Sequence, residues 1–185
     1  MRTTLLACGV LAATGVCAAP AGAATGSICT YDAATATAQV QMLSARTVLS
    51  RGGDQLLADG RPCAPLATAA QVVVSSDFPP ANDAVVVDER QGRLAVGANR
   101  PTIYALTGFG DDTMEVIGTG GPDRYASDDD LGASIDLDGD GRPDFISTHV
   151  GRVVLRGGPG DDFLRGRRDD LLVGGPGHDR IRRQP

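Results

Sequence analysis

Apolar and polar residues alternate with a period of two along 35–42: Ala36, Ala38, Val40 and Met42 fall on one side, Thr35, Thr37, Gln39 and Gln41 on the other. That period marks a strand with one buried face. Short apolar or alternating runs predict further strands at 46–50, 55–57, 71–74, 84–87, 93–96 and 102–106. Gly52-Gly53-Asp54 and Asp59-Gly60 separate them as turns. The segment 58–63 reads as a turn that returns toward Cys29, and 64–70 is ambiguous between helix and extended chain. No other segment beyond the N-terminus carries a helical period, so the class expected is all-β.

Toward the C-terminus the alternation gives way to a repeat. Gly157-Gly158-Pro159-Gly160-Asp161-Asp162-Phe163-Leu164-Arg165 fits G-G-x-G-x-D-x-U-x, with U a large apolar residue, at every fixed position. Gly174-Gly175-Pro176-Gly177-His178-Asp179-Arg180-Ile181-Arg182 fits it again. Between them, Gly166-Arg167-Arg168-Asp169-Asp170-Leu171-Leu172-Val173 is a degraded eight-residue copy in which Arg168 replaces the fourth glycine. Weaker copies precede them at 118–126, 107–115 and 78–86; the last keeps only Asp83 and an apolar eighth position and reads as structural. Match to the pattern therefore improves along the chain.

The glycines supply backbone angles that side chains forbid, which lets a turn present its carbonyls inward. Calcium takes six to eight oxygens and accepts carbonyls as readily as carboxylates. Two nonapeptides complete one coil, so each copy is expected to stack on the next but one. The perfect copies then meet each other, with the degraded copy opposite. The expected site lies between them, lined by carbonyls of Gly158, Gly160, Gly175 and Gly177 and by carboxylates of Asp162 and Asp179. The alternative is a pair of glycine-rich loops without metal.

These motifs resemble the RTX, or haemolysin-type, calcium-binding nonapeptide repeats, over roughly 107–182. The resemblance implies a calcium-loaded parallel β-roll. Cys29-Thr30-Tyr31-Asp32, the strands after it and Asp59-Gly60-Arg61-Pro62-Cys63 are similar to the leader region of Sec-exported calcium-binding repeat proteins of high-GC bacteria. RTX toxins and proteases leave by an exporter that reads a C-terminal signal. This chain opens on a leader-like segment instead, so no toxin or protease role is expected.

A second acidic motif, Asp136-Leu137-Asp138-Gly139-Asp140-Gly141-Arg142-Pro143-Asp144, has carboxylates at positions 1, 3, 5 and 9 and glycine at 6. That is a calcium-loop spacing. Ser147 stands where an EF-hand has its bidentate Glu. The loop is thus closer to those of dockerin or thrombospondin-type repeats. Asp136, Asp138, Asp140 and Asp144 are the candidate side-chain ligands and Arg142 offers its carbonyl; the alternative is a plain acidic hairpin turn. The run Asp128-Asp129-Asp130 reads as solvated charge.

The N-terminus changes the setting. Arg2, an apolar run over 5–16 and Ala21-Gly22-Ala23 have the order of a secretory signal peptide spanning 1–23. The run is too short to cross a bilayer. A secreted, extracellular protein follows. Cys8 and Cys17 fall in the leader; Cys29 and Cys63 remain and are expected to pair in an oxidising compartment, the alternative being two separate thiols. The expected organisation is a signal peptide (1–23), a disulfide-tied β-rich region (24–75) and a β-roll or β-helix solenoid (76–182).

Net charge is -6, and -7 once Arg2 leaves. Its distribution is uneven: 107–144 holds eleven acids against Arg124 and Arg142, whereas 145–185 holds five acids against eight arginines. A self-repelling acidic middle calls for a cation and argues against nucleic acid. With only His149 and His178 as histidines, and neither HExxH nor GxSxG present, no enzyme is expected. The expected activity is extracellular calcium binding with a structural role for the ion. The alternative is an adhesin-like surface or matrix protein that uses Arg152, Arg156, Arg165, Arg167, Arg168, Arg180, Arg182 and Arg183 as a stripe for an anionic polymer.

Overall fold

The computed structural model describes residues 26–76, 82–94, 100–108, 110–128, 133–147 and 149–184. The expected signal peptide, the first residues of the 78–86 copy and Asp129-Asp130 lie outside the described residues. Among those described there are strands and turns but no helix. The strands are β1 Ser27–Asp32, β2 Thr37–Met42, β3 Arg46–Gly52, β4 Gln55–Ala58, β5 Arg61–Pro65, β6 Gln71–Ser76, β7 Ala84–Asp88, β8 Thr102–Leu106, β9 Thr113–Ile117, β10 Arg124–Asp128, β11 Ala133–Asp136, β12 Phe145–Ser147, β13 Arg152–Arg156, β14 Phe163–Gly166, β15 Leu171–Val173 and β16 Arg180–Arg183.

They form two mixed sheets, ordered β1-β2-β6-β8-β12-β11-β10-β14-β16 and β15-β13-β9-β7-β3-β4-β5. The chain passes from one sheet to the other and back: β2 to β3, β6 to β7, β8 to β9, β14 to β15. Strands one coil apart pair in parallel, as in β2–β6, β6–β8, β7–β9, β9–β13 and β14–β16. Antiparallel pairs occur where the chain folds back locally, at β1–β2, β3–β4–β5 and β10–β11–β12. The same two sheets run through 24–75 and 76–182.

The alternation read from sequence becomes the core. Ala38, Val40 and Met42 are buried from β2, and Tyr125, Met114 and Leu164 fill the eighth position of their repeats. Ile181 holds the same position in the last repeat yet is 46% exposed, because β16 is the end strand of its sheet. Cys29 on β1 and Cys63 on β5 are bonded, with Cα atoms 5.3 Å apart, and join the first strand of one sheet to the last-ordered strand of the other. On the loop-entropy model a bridge across 34 residues stabilises by roughly 3 to 4 kcal/mol.

Three expectations need correction. Thr35 and Ala36, read as the start of a strand over 35–42, lie in the turn before β2, with Ala36 at a φ of 52°. The segment 58–63 is not only a turn: Asp59-Gly60 turns a hairpin whose second strand is β5, with Asp59 taking a φ of 49°. Arg93 and Leu94 are not in a strand. The Leu94 N–H is satisfied by Glu89 Oε1 at 2.9 Å, so this backbone does not need a sheet partner.

Glu89 is fully buried and its Oε2 accepts the Tyr125 hydroxyl at 2.8 Å. Burial pushes its carboxyl up to about 7. Between the unfolded value of 4.5 and about 7 the folded state holds a proton that the unfolded state has lost. Stability from this group is thus complete below 4.5 and lost as pH rises to about 7. Glu89→Gln keeps an acceptor for Leu94 and a polar partner for Tyr125. It is expected to exceed wild type by about 2 to 3 kcal/mol above pH 7, with the advantage vanishing near pH 4.5. Denaturant unfolding at both pH values, calcium held constant, measures it; an equal difference at the two would refute the ionisation.

Candidate metal centre

The two perfect repeats stack as the repeat rule requires. β14 pairs with β16 in the register Phe163↔Arg180 and Leu164↔Ile181, and the degraded copy contributes β15 to the other sheet. The turns before β14 and β16 are in direct contact. Gly158 N donates to Gly174 O and Gly160 N to Pro176 O, both at 2.9 Å. Gly158 and Gly175 have φ of +99° and +120°, Gly160 and Gly177 of +144° and +148°. The stacking imposes a second steric demand. A Cβ on Gly175 would lie 2.1 Å from Gly158 O, and one on Gly177 would lie 1.8 Å from Gly160 O. The Gly158 and Gly160 carbonyls therefore face the turn above.

The aspartates form a ladder along the stack. Asp123 N donates to Asp162 Oδ1 at 2.8 Å and Asp162 N to Asp179 Oδ1 at 3.1 Å. The second oxygens lie inside their own turns: a Cβ on Gly157 would come within 2.0 Å of Asp162 Oδ2, and one on Gly174 within 2.0 Å of Asp179 Oδ2. Asp162 is 1% exposed, and its Oδ2 is buried without a hydrogen-bond donor. Burial raises its pKa, reinforced by the charges of Asp123, Asp179 and Asp161. Neither Asp162 nor Asp179 has a cationic side chain within 4.0 Å among the described residues. Hard oxygen donors, a glycine cradle and one orphaned carboxylate oxygen fit a calcium ion. Gly158, Gly160, Gly175, Gly177, Asp162 and Asp179 are thus brought together in one stack.

The weaker turns are finished differently. At Asp123, Thr119 N donates to Oδ2 at 2.7 Å, and Arg93 reaches Oδ1 at 2.8 Å. At Asp170, Arg167 N donates to Oδ2 at 2.7 Å, Ser127 Oγ to the same oxygen at 2.5 Å, and the Arg167 guanidinium lies 3.0 Å from Oδ1. Burial works against ionisation of Asp170, but the Arg167 and Ser127 hydrogen bonds outweigh it and hold the carboxyl below its usual range. Asp112 receives Thr107 Oγ1 at 2.7 Å and Asp83 N at 2.9 Å. Sequence reading missed Arg93, Thr119, Ser127 and Arg167 as partners of these aspartates. Thr119 and Arg167 were detectable, since each stands at position two of a copy where the perfect repeats have glycine. Arg93 lies outside the repeat and gave no signal.

The second motif is a hairpin insert. Residues 137–144 connect β11 to β12, and β12 pairs in parallel with β8. Asp136 organises the loop: its Oδ1 accepts the N–H of Asp138 and Gly139 at 3.2 and 2.6 Å, and its Oδ2 that of Gly141 at 2.8 Å. Oxygens of Asp136, Asp138 and Asp144 lie within 4.8 Å of one another, a spacing that can hold an ion. Asp140 is outside that group; its Oδ1 accepts Arg142 N at 2.8 Å. Arg100, unforeseen from sequence, pairs with Asp138 and Asp140 and lies 3.8 Å from Asp144 Oδ1. Its hydrogen bond keeps Asp140 low, while burial raises Asp144.

The arginines of the tail do not form one free stripe. Arg156 pairs with Glu115 at 2.7 Å, Arg167 with Asp170, and Arg183 donates to the carbonyl of Asp170 at 2.7 Å. Arg182 and Arg124 both cover the Phe163 ring, at 5.6 and 5.0 Å from its centre. His178 is on the surface, 3.6 Å from Asp161. Among the described residues no helix is long and apolar enough to cross a membrane.

Comparison with known proteins agrees with this geometry. Residues 138–170 and 166–182 match the family described as RTX calcium-binding nonapeptide repeat (4 copies). No curated protein and no solved structure matches the chain.

Proposed function

We propose that this chain, whose residues 138–182 carry RTX calcium-binding repeats, is a secreted calcium-binding protein in which the ion locks successive coils of a parallel β-roll. The principal site is the stack of turns 157–162 and 174–179, with carboxylates of Asp162 and Asp179 and carbonyls of Gly158, Gly160, Gly175 and Gly177. A second ion is held by Asp136, Asp138 and Asp144, with Asp140 and the Arg142 carbonyl completing the loop as Arg100 withdraws. Two guanidiniums, Arg100 and Arg142, against four carboxylates leave that loop anionic, which supports the reading. The ion's role is structural and not catalytic, and the Cys29–Cys63 bond supports an extracellular setting.

The buried Asp162 Oδ2, which no donor among the described residues reaches, carries this proposal. A buried polar atom left unpaired is costly, and a bound cation removes that cost. Native mass spectrometry of the mature chain in millimolar calcium is expected to retain ions that a chelator strips. Thermal unfolding should move up with calcium in parallel. A chain that retains no ion and unfolds identically in chelator would overturn the assignment.

A further inference from the structure

We infer that, in the turns of Asp123, Asp162, Asp170 and Asp179, position two decides whether the turn takes a metal ion or an arginine from the protein itself. This rests on the calcium reading of turns 157–179. Glycine at position two takes a positive φ, +99° at Gly158 and +120° at Gly175. The consequence is visible at Gly158, whose N–H turns to the neighbouring coil and bonds Gly174 O at 2.9 Å. Asp162 Oδ2 is thereby left without a donor and faces the cradle.

Where position two bears a side chain, the backbone does not take the positive φ: neither Thr119 nor Arg167 is among the residues that do. Each instead donates its own N–H to the aspartate of its own turn, at 2.7 Å in both cases. The Asp oxygen that would face a metal is thus occupied. A single positive charge then completes the turn. Arg93 reaches in from outside the repeat to Asp123, whose side chain is fully buried, and Arg167 folds back onto Asp170, whose side chain is 1% exposed. A guanidinium supplies several fixed donors to a carboxylate and never loses its charge, so it neutralises a lone buried aspartate at any calcium concentration. At Asp162 and Asp179 no arginine fills this place among the described residues, and both turns have glycine at position two. The 107–115 copy also has glycine there, Gly108 with a φ of +82°, but Thr107 at position one donates its hydroxyl to Asp112 Oδ2 at 2.7 Å and closes that oxygen in another way. Among these repeat turns, metal dependence is thereby confined to 157–179, while those of Asp123 and Asp170 are closed by the protein's own groups.

The test converts one class of turn into the other. In Thr119→Gly/Arg93→Gln, position two becomes glycine and the substitute cation is removed, directly beneath the intact 157–165 turn. Native mass spectrometry in millimolar calcium is expected to count one more ion per chain than wild type, and the calcium-induced rise in melting temperature should grow. A folded double variant with the wild-type count and the wild-type calcium response would overturn the inference. If the double variant does not fold in either buffer, Thr119→Gly alone decides. A melting loss in chelator that calcium partly restores supports the substitution; an equal loss in both buffers overturns it. Arg93→Lys, which keeps the charge, is expected to show no added calcium response. Wild type with no bound ion would refute the calcium reading itself, whatever the difference between variants.

Discussion

Gly160→Ala is expected to destabilise the protein by about 2 to 6 kcal/mol in saturating calcium, while Gly120→Ala stays within about 0.5 kcal/mol of wild type. Both glycines lie in turns of the same stack, so composition cannot separate them. Gly160 has a φ of +144°, and an added Cβ would meet Gly121 C and O at 2.6 Å and Pro122 N at 3.0 Å. These are backbone atoms of the adjacent coil. They can move only if the coils separate, which would break the Gly160 N to Pro176 O bond on the other side or the β10–β14 pairing below. Backbone strain and overpacking therefore add. Gly120 has no positive φ and nothing within 4 Å of its would-be Cβ. Chemical denaturation of the two variants gives the comparison. Equal and small losses would mean that coil spacing is slack at these turns, and that glycine serves there only as a flexible link.

That result bears on how much of the molecule its sequence disclosed. The period of two read along 35–42 found β2 over 37–42, with Thr35 and Ala36 in the turn before it, and stacking of alternate repeats gave the Phe163↔Arg180 register without structural help. Both are local rules repeated, and local rules are written in consecutive residues. The acidic motif was legible as a loop, and it is placed as a hairpin, since 137–144 turns between β11 and β12. What stayed hidden joins distant segments. Arg93 and Asp123 are 30 residues apart, Arg100 and Asp138 are 38 apart, and no periodicity links either pair. The end strands were equally opaque. β4 and β5 leave the coil path and return antiparallel, so 58–63 looked like connection and not sheet. Glycine had been read for its backbone freedom alone. Its other function, admitting a carbonyl of the next coil where a methyl cannot fit, depends on the coil spacing, which only the folded chain sets.

Asp162→Asn is expected to invert the order of stability between chelator and calcium. Asparagine is nearly isosteric and its Oδ1 can still accept the Asp123 N–H, so the ladder along the stack is preserved. In chelator the wild-type carboxylate is buried, has one oxygen without a donor and faces Asp123, Asp179 and Asp161, all of which raise its pKa. A folded-state pKa above the unfolded value means stability that is present at low pH and lost as pH rises through the folded value. At neutral pH without metal, the neutral asparagine should therefore match or exceed wild type. Calcium changes the sign. With dissociation constants of about 10⁻⁴ to 10⁻³ M, typical of extracellular modules, 10 mM calcium stabilises wild type by about 1.4 to 2.7 kcal/mol at this site. The variant, lacking the charge that the ion requires, should gain little there. The second site in 136–144 is intact in both proteins and cancels in the comparison. Denaturant unfolding of each protein in the two buffers supplies the four values needed. If Asp162 were only a rung of the hydrogen-bonded ladder, the difference between wild type and variant would be the same with and without calcium, and the proposed metal ligand would have to be sought elsewhere.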